Sequence, residues 1–409
     1  PTREGYAGHP KRIFLANIGH KLRTPMTLIL GMTELVRNRT QDERLKPILN
    51  NVMDAATGLT RMPNDLIDLA ALETRQVAFQ FAPLSMPELA ADALQLLEPQ
   101  ARQKGLQMFM TIDGEGKVTI DAGDKGSVMM LNASNSVIRG LRLTGSGDSH
   151  DTDDSCLDVR GNNNVIEDNV VDNCLFGIDL KQVNDSVVRG NRIKSKDLEL
   201  GVRGDGLRLW YSNNNLVEKN EIIDSRDMVA WYSNKNTFRE NLGRRSRYSI
   251  HLMFASDNVI EHNRFYDNAV GIYFMYTEGG AARNNIISHA TGATGMGIGF
   301  KEASGTLIEH NEIIYCGIGI GSDLSPFQPD STIEIRGNRF AYNGIGILFN
   351  SEVGGNNMVD NVFEGNLTQV SYGGRSGSVF SFTVRGGEAA AELVPGSAQN
   401  TAAMITAKA

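Results

Sequence analysis

At 409 residues and a net charge of −8, the chain is longer than one ordinary core organises. It is also too acidic for a general nucleic-acid binder, whose phosphate contacts need a basic face. Its three cysteines, Cys156, Cys174 and Cys316, do not form a disulfide framework, and no pair has metal-ligand spacing, so they read as small core residues. No run reaches the roughly 18 apolar residues of a membrane span, and none has the charged start and apolar centre of a signal peptide.

The first elements are helical. Leu45, Ile48, Val52, Ala55, Leu59, Met62, Leu66 and Leu69 fall three or four apart, which predicts one apolar stripe along a long helix. Residues 12–39 form the helix before it, and "NRTQDE" is a short polar connection suited to an antiparallel hairpin. Two helices cannot bury both stripes alone, so the hairpin should complete a four-helix bundle as a homodimer or pack on another domain. A third helix opens at Ser85 and Glu88 with capping-box spacing, and "QMFMTID" follows as a strand.

"FLANIGHKLRTPMTLILGMTELV" and the segment from "LIDLAALETRQ" to "MFMTID" resemble the dimerisation and phosphotransfer helices of hybrid sensor histidine kinases and the first elements of their ATP-binding domain. The resemblance makes His20 the phosphoacceptor and Thr24 the polar residue one turn later that assists dephosphorylation. Pro25 is the helix-bending proline: it offers no N–H to the Lys21 carbonyl. Two departures weigh against a kinase. Lys21 stands where the family has an acid, and a protonated lysine is no base. After Asp113 the asparagine-bearing Mg-ATP helix and glycine-rich lid are absent, with no GxxxxGK[ST] in their place. Without a phosphate cradle the donor is not positioned. His20 could still accept a phosphoryl group from a response regulator; otherwise the hairpin is a plain dimerisation segment.

Near residue 113 the composition changes. Helical period stops, and one phrase recurs: "NVIEDN", "SVVRGN", "NLVEKN", "NTFREN", "NVIEHN", "TLIEHN" and "IEIRGN". With weaker copies, nine asparagines from Asn169 to Asn361 place eight intervals over 192 residues, a mean period of 24. That period, with β-branched pairs and Asn at turns, predicts a mainly β chain: a parallel β-helix of about ten coils preceded by the helical hairpin. Asn suits a left-handed corner, and its amide can bond the next Asn in a stacked ladder.

The repeat also places side chains. Thirteen and eleven residues before the Asn lie apolar rows, Leu207, Met228, Ile250, Ile272 and Leu209, Ala230, Leu252, Phe274, which should face inward. Alternation then sends Arg208, Val229, His251, Tyr273 and Trp210, Trp231, Met253, Met275 outward. A corner row, Tyr211, Tyr232, Phe254, Tyr276, is aromatic. The rows make an exposed stripe expected to be a contact surface, with partner contacts at Trp210, Tyr211, Trp231, Tyr232, Phe254, Tyr273 and Tyr276. Imidazole and thioether suit Cu(I), which marks His251, Met253 and Met275 as candidate ligands. Arg226 and Asp227 read as a structural pair at a coil corner.

The strings "SRDMVAWYS", "RYSIHLMF" and "VGIYFMY" sit in a segment, about 114–374, that resembles NosD-type nitrous oxide reductase maturation proteins. The resemblance implies a non-catalytic periplasmic protein, a right-handed parallel β-helix, that helps assemble the copper site of nitrous oxide reductase with ABC transporter subunits and a copper chaperone. The opening coils and export signal of that family are missing here. The domain plan is then 1–80 helical hairpin, 81–113 remnant of an ATP-binding domain, 114–375 β-helix and 376–409 low-complexity tail. The two resemblances imply different compartments, so the junction at 113–116 reads as an abrupt splice. β-Helices also serve carbohydrate lyases and epimerases, which need acids and a base on one groove. The candidates are Asp148, His150, Asp151, Asp153, Asp154 and Asp158 in "GDSHDTDDSCLD", with Asp205 and Asp257, and the cluster reads as a solvated loop between coils.

Overall fold

The structure is a computed structural model. It describes residues 110–292, 294–350, 354–372, 379–385 and 391–393, and scattered helical positions between 29 and 99. Contacts divide the chain into two units, 1–84 and 85–409.

In the first unit the described positions from Ile29 to Ala56 are helical apart from Thr40. Met32, Val36, Leu45, Ile48 and Val52 are exposed while Ala56 is buried. Those five apolar side chains are thus left uncovered in one chain. His20 and Thr24 lie outside the described residues, as do Ala55, Leu59, Met62, Leu66 and Leu69.

The second unit is a parallel β-helix of about 11 turns. One sheet has twelve strands, one per coil; the other has twenty and takes two short strands from most coils. The strand Met110–Asp121 pairs in parallel with Ser136–Thr144, so the change of composition near residue 113 falls inside a strand. Beyond residue 375, where the sequence reads as low-complexity tail, Val379–Arg385 and Ala391–Leu393 extend the two sheets by one strand each.

The inward rows are those the repeat predicts. Leu207, Met228, Ile250, Ile272, Leu209, Ala230, Leu252 and Phe274 all join the buried core. Leu209, Ala230, Leu252 and Phe274 stand in continuous register; in the other row Leu207 lies beside Met228 and Ile250 beside Ile272, with a register shift between Asp227 and Val229. At roughly 2 kcal/mol for each buried large aliphatic or aromatic side chain, this column supplies most of the stabilisation that opposes chain entropy.

The asparagines form a ladder. In all eight steps from Asn169 to Asn361, the backbone N–H of one Asn donates to Oδ1 of the next at 2.8–3.1 Å. All nine are buried. Their backbones are not left-handed, however. Positive φ falls one residue earlier, at Asp168, Lys219, Glu240, His262 and their counterparts. Asn is required for its amide, which bonds both neighbouring coils; the corner strain sits on its predecessor. A second ladder, Asn215, Asn236 and Asn258, repeats the device at another corner.

Two residues before the first eight ladder asparagines runs a row of alternating charge: Glu167, Arg189, Glu218, Arg239, Glu261, Arg283, Glu309 and Arg336, in continuous register; before the ninth it ends at Val359. Each arginine pairs with the glutamate of the preceding coil, at 2.8 Å for Arg189–Glu167 and 2.9 Å for Arg283–Glu261. Opposite charges directly across a strand pair favour this stacking order over any slip that brings like charges together.

The cysteines correct an expectation. Cys156 and Cys174 are joined in a disulfide with Cα atoms 5.6 Å apart. Both lie in the core, as predicted, and Cys316 alone is a buried free thiol. Consecutive coils bring residues 18 apart in sequence into contact, a proximity that spacing alone does not reveal.

Candidate functional site

The outward face of the twelve-stranded sheet changes character from coil to coil. Its strands Ser155–Arg160, Phe176–Lys181, Leu207–Trp210, Asp227–Trp231, Tyr248–Met253, Val270–Met275 and Met296–Lys301 follow one another in parallel. One row reads Asp158, Asp179, Arg208, Val229, His251, Tyr273, Gly299. The row two residues along reads Lys181, Trp210, Trp231, Met253, Met275, Lys301.

The stripe is assembled as the repeat predicts. Trp210 meets Trp231 edge-on with centroids 5.1 Å apart. Tyr211, Tyr232, Phe254 and Tyr276 form a continuous stack with centroids 4.9, 5.2 and 4.7 Å apart. All four sit at positive φ, from 49° to 55°, an uncommon and strained setting for bulky side chains. Tyr211 and Phe254 are 47% and 40% exposed. Trp210, Trp231, Met253 and Met275 are half-buried, and Met253 stands directly beside Met275 in register.

The row expected to be fully outward is different. Arg208, Val229 and His251 are buried, and only Tyr273 is half-exposed. Alternation does turn them away from the core, since none belongs to it, but charged partners and aromatic rings cover them. Tyr273 lies across Gly299, where a Cβ would come within 2.4 Å of the ring. Burial pushes the Tyr273 hydroxyl up to about 12.

At one end of the stripe lies an ionic cluster; the loop's Asp148, His150 and Asp151 are exposed, as expected of a solvated loop, but its last acids are drawn into the fold. Asp158 is on a strand and buried, and Asp179 is fully buried. Arg208 forks onto Asp179 through Nε at 2.9 Å and Nη2 at 2.5 Å, and its Nη2 also reaches Asp153 at 2.8 Å. Lys181 bonds Asp158 at 2.8 Å and Asp179 at 3.2 Å. The Arg208 guanidinium lies over the Phe176 ring at 4.5 Å. The loop's other acids are spread out: Asp148 pairs with Lys196, and Asp154 accepts from Thr152. These carboxylates are consumed by structural pairing.

Arg226 and Asp227 do not pair with each other. Arg226 forks onto Asp205 at 2.9 and 3.1 Å. Asp227 takes Arg247 at 3.0 and 2.5 Å, and His251 Nδ1 at 3.3 Å. Neighbours in sequence thus serve neighbouring coils. The two buried carboxylates are pushed in opposite directions. Burial and the adjacent Asp227 raise Asp205 above its ordinary value. Burial also works against charge on Asp227, but hydrogen bonds from His251 and Arg247 outweigh it and hold that carboxyl low.

His251 stands between Tyr248, edge-on at 4.8 Å, and Tyr273 at 6.0 Å. Its Nε2 is buried and has no hydrogen-bond partner, and neither has Nε1 of Trp231. Among the described residues, no three His, Cys, Asp or Glu side chains gather as a metal group. A metal at His251 would therefore need the neighbouring thioethers. Sequence reasoning missed Asp227 as the shared partner of Arg247 and His251; the available signal was their offsets of 20 and 24 residues from it, close to one coil.

Fold and site together define a repeat protein of the parallel β-helix class with an aromatic and thioether stripe on one sheet. Within that class, residues 195–389 match the family model described as periplasmic copper-binding protein NosD. Residues 10–75 match the histidine kinase A phospho-acceptor domain. The sensor histidine kinase AruS of Pseudomonas aeruginosa is 32% identical over 125 residues, covering 31% of this chain and 12% of that protein. The circadian input-output histidine kinase CikA of Synechococcus elongatus is 29% identical over 121 residues, covering 29% and 16%. The chain thus spans less than a fifth of these relatives. Among solved structures, the A-module of mannuronan C-5 epimerase AlgE6 from Azotobacter vinelandii gives a TM-score of 0.51 at 17% identity. It covers 69% of this chain and 86% of that one, a likeness of fold. The NosD match points to periplasmic, copper-related maturation.

Proposed function

We propose that the β-helix is a non-catalytic maturation module that helps assemble the copper site of nitrous oxide reductase in the periplasm. It works with ABC transporter subunits and a copper chaperone. The stripe from Trp210 to Tyr276 is the docking face, through Trp210, Tyr211, Trp231, Tyr232, Phe254, Tyr273 and Tyr276. His251, Met253 and Met275 are the residues that would handle Cu(I) as cargo. The observation that carries this reading is the unbroken aromatic and thioether stripe over four coils, inside the segment matching NosD. Surface aromatics in such density suit a partner interface, and thioethers beside an imidazole suit a soft cation. The Cys156–Cys174 disulfide supports an oxidising compartment.

The test titrates purified protein with Cu(I) and with a nitrous oxide reductase maturation partner, comparing wild type with Met253→Ala/Met275→Ala. Weaker copper uptake or partner binding supports the stripe; both unchanged rejects it. A second reading, favoured by the match at residues 10–75, is phosphotransfer through His20 with Thr24. Acid-labile label on wild type but not on His20→Gln, after incubation with a phosphorylated response regulator, would establish it. A carbohydrate lyase or epimerase is the third reading. It is weakened by the ion pairs that hold Asp153, Asp158 and Asp179.

A further inference from the structure

Asp227 is the most heavily bonded carboxylate beside the stripe. Its Oδ1 accepts from Arg247 Nε at 3.0 Å and from the backbone N–H of Tyr248 at 3.3 Å. Its Oδ2 accepts from Arg247 Nη2 at 2.5 Å and faces His251 Nδ1 at 3.3 Å. Arg247 is itself fixed, its guanidinium lying over the Tyr248 ring at 4.6 Å and its backbone N–H donating to the Arg226 carbonyl at 2.8 Å. A carboxylate so held can only accept, so Nδ1 of His251 must carry the hydrogen that faces it. In the neutral ring the bare lone pair is then on Nε2, the atom that is buried and has no partner in the protein. An orphaned buried acceptor is destabilising, and such groups call for a reason. Met253 follows on the same strand with Met275 beside it.

We infer that Asp227, clamped by Arg247, is a positioning residue that fixes the His251 tautomer and ring so that Nε2 is presented as a donor to a soft monovalent cation. The inference rests on the proposed role of His251 and adds what sets its chemistry. A ring nitrogen hydrogen-bonded to a carboxylate is fixed in orientation and made a better donor at its other nitrogen. It also places half of the site one coil away from the ligand, where neither a His nor a Met pattern would point.

The experiment has two readouts on the full chain. The first is the tautomer of His251 in metal-free protein, from long-range ¹H–¹⁵N correlation at a pH where the ring is neutral. The wild type is expected to show Nδ1–H with Nε2 bare. Asp227→Asn should lose that preference, and Asp227→Glu should restore most of it. Nε2–H in the wild type overturns the inference. The second is Cu(I) affinity against a competing chelator. Asp227→Asn and Arg247→Met should weaken it by about 10- to 100-fold, with Asp227→Glu recovering part of the loss. Circular dichroism restricts the comparison to variants that keep the β-helix. His251→Gln separates the two levels. If it leaves Cu(I) affinity unchanged, the copper reading fails; if it weakens binding while folded Asp227→Asn does not, only the positioning role fails.

Discussion

The two sheets of the β-helix use the same backbone ladder and spend their outward rows differently. On the twenty-stranded sheet, the row from Glu167 to Arg336 alternates in sign and each arginine finds a glutamate one coil away. That face pairs its charges by its own repeat, although Nε of Arg239 is buried without a partner. On the twelve-stranded sheet the corresponding positions run from acids and bases, through Trp, Met and His, to glycine at Gly299 and Gly321. There the repeat breaks, and two buried nitrogens, Nε2 of His251 and Nε1 of Trp231, have no partner. A solenoid grows by repeating whatever satisfies itself. Where successive coils stop repeating, some demand other than architecture sets the residue.

Substitutions should separate the two kinds of position. The largest effect is expected in the shared ladder. In Asn241→Ala the backbone N–H and the Nδ2 of buried Asn220 lose the acceptor Asn241 Oδ1, and the Val217 carbonyl loses the Asn241 Nδ2 donor. At about 1–3 kcal/mol for each buried group left unpaired, a loss of about 4 kcal/mol should appear in the denaturant midpoint. A loss under about 1 kcal/mol would mean the ladder does not hold the coils. Next comes the covalent tie. Cys156→Ser/Cys174→Ser should cost about 3 kcal/mol for an 18-residue loop. Wild type denatured without reductant should titrate as one thiol, that of Cys316, and three thiols would remove the argument for an oxidising compartment. Gly299→Ala is a smaller probe, confined to the varied face. The new Cβ would overlap the Tyr273 ring, so about 1–3 kcal/mol of overpacking is expected, with a change in near-ultraviolet dichroism. Gly305→Ala, whose Cβ would meet only ordinary contacts, the nearest 3.4 Å away at Gly279 N, but at φ of +62°, tests backbone strain without touching the ring.

Much of this was legible in the sequence because the repeat converts spacing into position. Counting from the asparagines placed Leu207, Met228, Ile250 and Ile272 in the core and Trp210 beside Trp231. The alternation of Glu and Arg two residues before each Asn was equally open to inspection, but becomes meaningful only once those residues are known to stack. Less legible was anything between coils at unequal offsets. Asp227 reaches forward to Arg247 and His251, and Arg226 back to Asp205. Reading Arg226 and Asp227 as partners failed because each takes its partner from a neighbouring coil, Arg226 at Asp205 and Asp227 at Arg247. Burial of Arg208 and His251 was hidden for a related reason. Alternation decides which side of the sheet a residue takes, and not what lies over it. The cysteine pair was missed because the two sit at different positions of the coil, 18 residues apart, an offset that a mean period of 24 does not bring together.

The smallest effects are expected on the charged corners, and their pH dependence has a definite sign. The hydrogen bond from Arg245 to Asp224, at 2.6 and 2.8 Å, holds the Asp224 carboxyl below its ordinary value despite partial burial. A carboxyl whose folded pKa is depressed contributes stability above its unfolded value, near 3.9, and loses it as pH falls through the folded one. Asp205 has the opposite sign: burial and Asp227 raise it, so its ionisation costs stability as pH rises through its folded value. Arg245→Met should therefore flatten the acid limb of the stability curve below about pH 4, by under about 1 kcal/mol because Arg245 is exposed. Asp205→Asn should leave that limb in place and change stability instead at the pH where Asp205 ionises. Denaturant midpoints from pH 2.5 to 7 distinguish the two. An unchanged acid limb in Arg245→Met would show that the exposed corner pairs add no stability, leaving the asparagine ladder and the apolar column to hold the coils.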